Sequence, residues 1–259
     1  SATSGTSNLR LGVNAGNSIT SGGDYNTVVG DEAGTALTTA DKNVAVGYQA
    51  LATETGGYLN IAIGAGALQN QNGAYYNVAV GHEAGNDITT GIQNTLIGGL
   101  AGDAITTGSY NSLVGANAGG SLTTGSNNVA VGEVSLNNST TAGDCVSVGV
   151  SAMRYNTTGD NNTAVGRAAL QKNTTANNNT AVGYSALLEN TTGLYNSGFG
   201  SSALLANTTG GSNTALGIDS LRANTTGSNN VAVGGNALDA NTTASNNTAV
   251  GYASLSANT

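Results

Sequence analysis

Apolar and polar positions in this chain recur at a fixed step. Asn179-Thr180-Ala181-Val182-Gly183-Tyr184-Ser185-Ala186-Leu187 runs into Leu188-Glu189-Asn190-Thr191-Thr192-Gly193, and at Asn196 the same kind of segment begins again. It also begins at Asn162, Asn213, Asn230 and Asn247. The closing glycine falls at Gly12, Gly30, Gly47, Gly64, Gly81, Gly98, Gly115, Gly132, Gly149, Gly166, Gly183, Gly200, Gly217, Gly234 and Gly251, every step being 17 residues except the first, which is 18. An internal period of this size is the mark of a solenoid. The additional residue is placed in the Ser21-Gly22-Gly23-Asp24 loop, where an insertion costs little.

Within a unit, a stretch such as Asn230-Val231-Ala232-Val233-Gly234 predicts a short strand. Val, Ile, Phe or Leu precedes the glycine, the residue two earlier is Val, Ile, Thr, Ser or Leu, and Ala usually stands between. Period-two alternation puts the two outer columns on one face and the Ala column on the other. Gly then allows a bend, Tyr-x-Ala-Leu is expected to begin a second short strand, and Asn-Thr-Thr-Gly supplies the return turn.

A further regularity lies beyond the glycine. Gly16, Gly34, Gly85, Gly102 and Gly119 are followed three residues later by Ile19, Leu37, Ile88, Ile105 and Leu122. Units with Leu or Met at the first site carry a polar residue at the second: Leu51/Glu54, Leu68/Gln71, Leu136/Ser139, Met153/Asn156, Leu170/Asn173, Leu187/Asn190, Leu204/Asn207, Leu221/Asn224, Leu238/Asn241 and Leu255/Asn258. One apolar slot per coil, filled from either of two backbone positions, accounts for this. Overfilling strains a close-packed interior and an empty slot leaves a cavity. The Val/Ile column and this slot are expected to fix the packing.

Composition narrows the class. The 259 residues include 40 Gly, no Pro, no Trp and one Phe, so few large side chains exist to fill a compact globular core. Regular aliphatic spacing argues against disorder. The expectation is an all-β, parallel solenoid of fifteen 17-residue coils, a single repetitive array over 1–259 with no second domain. Net charge is −8, with only Arg10, Lys42, Arg154, Arg167, Lys172 and Arg222 as cations. A nucleic-acid partner needs a cationic face, and none is written here. No apolar run approaches the ~18–20 residues that cross a bilayer, so no membrane insertion is expected of this segment. Ser1-Ala2-Thr3-Ser4-Gly5 reads as the tail of a preceding unit and Asn258-Thr259 stops inside a turn, which is read as a window on a longer fibre or a subunit that stacks end to end.

Candidate chemistry is sparse. The column Asn8, Asn26, Asn43, Asn60, Asn77, Asn94, Asn111, Asn128, Asn162, Asn179, Asn196, Asn213, Asn230 and Asn247 is read as a structural amide ladder along the stack. Cys145 stands in the Asn place of its unit, without a neighbouring His or Lys to activate it. Asn156, Asn173, Asn190, Asn207, Asn224 and Asn241 each open Asn-Thr-Thr, the N-glycosylation acceptor pattern; turn and ladder chemistry is the default reading and decoration the alternative. His82 is the single histidine, and Glu83 beside it is expected on the opposite face of a strand, so no metal set and no Ser/His/Asp set assembles. No cofactor is implied and no enzyme activity is expected. Coils this short leave an apolar face that must meet another chain.

The segment Asn179 to Leu187, and nearly so Asn43 to Leu51, resembles the head repeat of trimeric autotransporter adhesins and the longer form of that repeat in phage tail fibres and related surface fibres, over the whole chain. The resemblance implies a left-handed parallel β-roll assembled as a parallel homotrimer. It implies a structural fibre shaft or adhesin head, outside the cell on a cell surface or virion, that presents or spaces a receptor-binding region. Its expected partners are further copies of itself and a host surface or surface glycan. The alternative is a self-assembling extracellular filament subunit, decorated at the Asn-Thr-Thr sites.

Overall fold

The computed structural model describes residues 5–257, in two compact units that divide between Asn127 and Asn128. In the first, seven strands of three residues follow one another: β1 (Leu9–Leu11), β2 (Thr27–Val29), β3 (Val44–Val46), β4 (Ile61–Ile63), β5 (Val78–Val80), β6 (Thr95–Ile97) and β7 (Ser112–Val114). Each pairs in parallel with the next; Val44 lies opposite Ile61 and Ala45 opposite Ala62. In the second, β8 (Val129–Val131), β9 (Val146–Val148), β10 (Thr163–Val165), β11 (Thr180–Val182), β12 (Ser197–Phe199), β13 (Thr214–Leu216), β14 (Val231–Val233) and β15 (Thr248–Val250) repeat the arrangement, with Ala164 opposite Ala181. With one strand per coil and no helix among the described residues, each unit is a parallel β-solenoid. The Thr180 N–H donates to the Asn196 carbonyl of the next coil at 2.8 Å, and Gly183 N–H to the Val165 carbonyl of the previous one at 2.8 Å.

Two expectations about the coil are corrected. The Tyr-x-Ala-Leu segment is a turn, not a second strand: in Tyr184-Ser185-Ala186-Leu187 both Ser185 (φ 53°) and Leu187 (φ 53°) are left-handed, which stops extension. The strand faces separate as alternation requires, but it is the Ala column, and not the Val/Ile column expected to fix the packing, that turns inward. Ala45, Ala62, Ala79, Ala164, Ala181 and Ala232 are fully buried, while the outer columns lie open, Ile61 36% and Ile63 39% exposed. Alternation shows only that the columns separate; width decides which goes inside. A coil this short has room for a methyl from its strand and one Leu from its turn, so the broad aliphatics face out.

The slot is filled as the sequence pattern requires except in the last described coil, where Leu255 is 52% exposed. Leu37, Ile88, Ile105 and Leu122 from one position, and Leu51, Leu68, Leu136, Met153, Leu170, Leu187, Leu204, Leu221 and Leu238 from the other, are all completely buried; Asn258 lies outside the described residues. The first position is left-handed in both kinds of coil, φ +53° at Gly34 and 54° at Leu204. A leucine there carries roughly 1–2 kcal/mol of backbone strain, which is offset by roughly 1.5–3 kcal/mol from its burial. Glycine removes the strain and leaves the slot to the residue three further on. The two cannot coexist, because a Cβ on Gly34 would lie 2.6 Å from Leu37 Cδ1. The strand centre responds as well: Val28, Leu96 and Leu113 replace Ala in coils whose slot position is Gly34, Gly102 and Gly119. Ala79 keeps its place beside Gly85, where Leu96 Cδ1 reaches in from the next coil, 2.6 Å from where a Cβ would stand.

The closing glycines answer a different demand. Gly183 has φ +136°, and a Cβ there would stand 2.5 Å from the Gly200 carbonyl oxygen one coil on. The additional residue of the first coil is also located. Thr20 N–H reaches Thr38 across 18 positions, while Asp24 N–H reaches Asp41 across 17, so it lies between them, where Gly22 (φ +104°) has open space around it.

Two substitutions check this packing. Gly34→Leu should destabilise by more than ~2 kcal/mol, and adding Leu37→Asn with Val28→Ala should return most of that loss by converting one coil type to the other. Gly183→Ala should cost at least ~2 kcal/mol with no such rescue. Chemical denaturation of the set reads both.

Candidate functional site

Most polar side chains that might have carried chemistry are used inside the coils. In the Asn column, Asn26 Oδ1 accepts from Asn43 N–H at 2.9 Å, Asn43 Oδ1 from Asn60 N–H at 2.9 Å, and Asn43 Nδ2 donates to the Gly57 carbonyl at 2.9 Å. The second unit repeats this from Asn179 to Asn196 and from Asn213 to Asn230. Asn26, Asn43, Asn60, Asn77, Asn94, Asn111, Asn128, Asn162, Asn179, Asn196, Asn213 and Asn230 are buried. Asn247, half-buried, bonds both its backbone N–H and its Nδ2 to Asn230 Oδ1. Each amide thus joins two coils and closes its own turn.

The Asn-Thr-Thr asparagines form a second ladder. Asn173 Nδ2 donates to Asn156 Oδ1 (2.7 Å) and to the Ala176 carbonyl (2.9 Å), and Asn190, Asn207, Asn224 and Asn241 repeat both bonds. All six are fully buried. The acceptor reading of Asn156, Asn173, Asn190, Asn207, Asn224 and Asn241 is corrected for the folded coil: a sugar would need a free, exposed amide, and these are interior and bonded. The threonine after each continues the pattern, Thr191 Oγ1 donating to the Thr208 carbonyl at 3.0 Å.

Glu54 and Gln71 take the place of this second Asn in the first unit. The buried Glu54 carboxylate accepts from the N–H groups of Gly56 (3.0 Å), Gly57 (2.5 Å) and Gly73 (2.8 Å), and from Gln71 Nε2 (3.0 Å). Four donors meet its two oxygens, as burial of a polar group demands.

Cys145 sits in the first ladder. Its N–H donates to Asn128 Oδ1 (3.1 Å) and its Sγ reaches the Gly159 carbonyl (3.4 Å), the acceptor an Asn Nδ2 meets in other coils. Burial, with Asp160 and Asp144 nearby, raises the thiol to about 11. His82 and Glu83 lie in a turn, not a strand, and come within 3.9 Å of each other, correcting the opposite-face expectation. Burial raises Asp103 first, with Asp87 and Glu83 adding to it. Among the described residues there is no cluster of three or more metal-ligating side chains and no enclosed pocket.

A third ladder was not read from the sequence. Two residues before the Asn of several coils, an Asp, Ser or Asn side chain accepts the N–H of its counterpart one coil earlier. Asp41 Oδ1 accepts from Asp24 (2.7 Å), Ser109 Oγ from Ile92 (3.1 Å), Asn177 Oδ1 from Asp160 (2.8 Å) and Ser245 Oγ from Ser228 (2.9 Å). The recurrence of Asp, Ser and Asn in that column was the available signal.

The outer strand face carries exposed apolar side chains. In the first unit Ile61, Ile63, Ile97 and Val114 are 36–40% exposed on the outer strand face; in the second, Val129, Val131, Val165 and Phe199 are 36–39% exposed and Leu216 50%. Compared with protein-family models, curated proteins and solved structures, the chain matches none.

The Cys145 geometry is checked by thiol labelling. A disulfide reagent at pH 8 should leave the folded protein unmodified and react once per chain in denaturant. The raised value stabilises the neutral thiol, a contribution present below about 9 and lost as pH rises through about 11. Cys145→Asn should raise stability by about 0.5–1.5 kcal/mol through the amide bonds it restores.

Proposed function

We propose that the chain is a segment of an extracellular, non-enzymatic fibre, a shaft or adhesin head on a virion or cell surface. In this reading, three parallel chains with left-handed coils pack their outer strand faces around one axis. The observation that carries it is the outward Val, Ile, Leu or Phe that ends every strand of each unit, joined by Val or Ile two residues earlier in coils such as those of Val44, Ile61, Val129 and Val231. A soluble monomer seldom leaves so continuous an apolar surface in water. The repeat resemblance supports the trimer number, the handedness and the surface location. The role follows from the construction: polar atoms are spent on joining coils, so the array sets length and stiffness, and host recognition falls mainly to what it presents.

Size-exclusion chromatography with multi-angle light scattering tests the assembly. The expected mass is three times that of the chain, with loss of the trimer when Val165 and Val182 are both changed to Lys. A mass of one chain for the unaltered protein would overturn the reading.

A further inference from the structure

In a repeat, a column that abandons its own bonding pattern marks a position chosen for something other than the fold. The third ladder is abandoned at Tyr58, Tyr75 and Ile92, where the column otherwise carries Asp24, Asp41 and Ser109 in the same unit. These three side chains accept nothing from the coil before, so the backbone N–H groups of Asp41, Tyr58 and Tyr75 find no acceptor among the described residues. In the second unit Gly143, Leu194 and Gly211 interrupt the ladder. Only in the first unit is the gap filled by rings, at Tyr58 and Tyr75.

Tyr58 stacks on Tyr75 with centroids 5.2 Å apart and planes 7° from parallel. Tyr76 stands across both, 5.8 and 5.5 Å away at 76° and 83°. Tyr58 is 40% and Tyr76 48% exposed. Lys42 and Gln93, both exposed, occupy Tyr76's column in the coils two before and one after it. Apolar ring surface and unmatched donors therefore meet at one corner. An entirely apolar partner would bury those amide donors unpaired, at a cost. The complementary ligand carries an apolar C–H face and a rim of oxygen acceptors.

We propose that Tyr58, Tyr75 and Tyr76 form a saccharide-binding platform, a pyranose ring lying on the exposed tyrosine surface with its oxygens toward the open backbone donors, Lys42 and Gln93. Tyrosine suits this because it gives rigid, amphipathic contact area at low entropic cost. The platform uses columns other than the outer strand pair assigned to chain–chain contact, so it stands whether or not the trimer does.

Saturation-transfer NMR on the full chain tests it, irradiating the tyrosine ring protons in the presence of methyl α-mannopyranoside, methyl β-galactopyranoside or N-acetylglucosamine, with glycerol as the polyol control. Transfer to the ring C–H protons of at least one pyranoside, and not to glycerol, is expected. The variant Tyr58→Asp/Tyr75→Ser/Tyr76→Asn, drawn from the chain's own columns, should bind at least about tenfold more weakly. It should melt no lower than the parent, because the ladder acceptors facing the N–H groups of Asp41 and residue 58 are restored. Tyr76→Asn alone should weaken binding, and the isolated Tyr110→Ser should not. Transfer no greater than glycerol's for all three pyranosides would overturn the proposal. So would undiminished transfer in the triple variant, or a lower melting temperature for it, which would make the rings packing elements.

Discussion

Each coil donates its backbone N–H groups to carbonyls one coil away, at 2.8 Å from Thr180 to Asn196 and 2.8 Å from Val231 to Asn247, and that fixed separation governs every column. Parallel strands hydrogen-bond at ~4.8 Å, so each residue stands on its counterpart one period back. Only residue types that tolerate their own kind at that spacing can recur. Amides do, because Oδ1 and Nδ2 point opposite ways along a ladder. Closing glycines are forced, because the next coil's carbonyl occupies the place of a Cβ.

The same spacing makes the interior too small for an ordinary core. In most coils of each unit a small side chain from the strand, an alanine such as Ala186 and one Leu, Ile or Met from the turn complete it. Strain at a left-handed leucine such as Leu187 is accepted because its direction fills the slot, and where Gly relieves the strain the residue three further on fills it, with a larger strand centre at Val28, Leu96 and Leu113. Polar interior and apolar exterior coexist without contradiction: asparagines are inside because they carry the inter-coil bonds, and valines are outside because the coil cannot hold them.

Much of this could be read from the residues. The period, the strand positions at Val231–Val233 and its counterparts, the one-slot rule and the amide column follow from spacing alone. The inside and outside of the strand do not. Alternation is symmetrical between faces, and coil width, which decides between them, is a three-dimensional quantity. The turn at Tyr184–Leu187 was misread as a strand because Tyr and Leu suit strands, whereas two left-handed residues prevent extension there. Asn-Thr-Thr matched a modification pattern whose meaning depends on exposure, and Asn190 is buried. The third ladder is not legible from spacing because Asp, Ser and Asn pass as ordinary loop residues until their oxygens are seen on the preceding N–H.

The central claim is that the outer strand face, and not the return turn, is where chains meet. Pulsed dipolar spectroscopy on protein labelled at Thr180→Cys, in a Cys145→Asn background, tests it most directly, with Thr192→Cys labelled for comparison. The account predicts one short inter-chain distance at position 180, on the order of 10–20 Å as for packed sheet faces, and a longer one at position 192. Absence of dipolar coupling at position 180, or a shorter distance at 192, would contradict it.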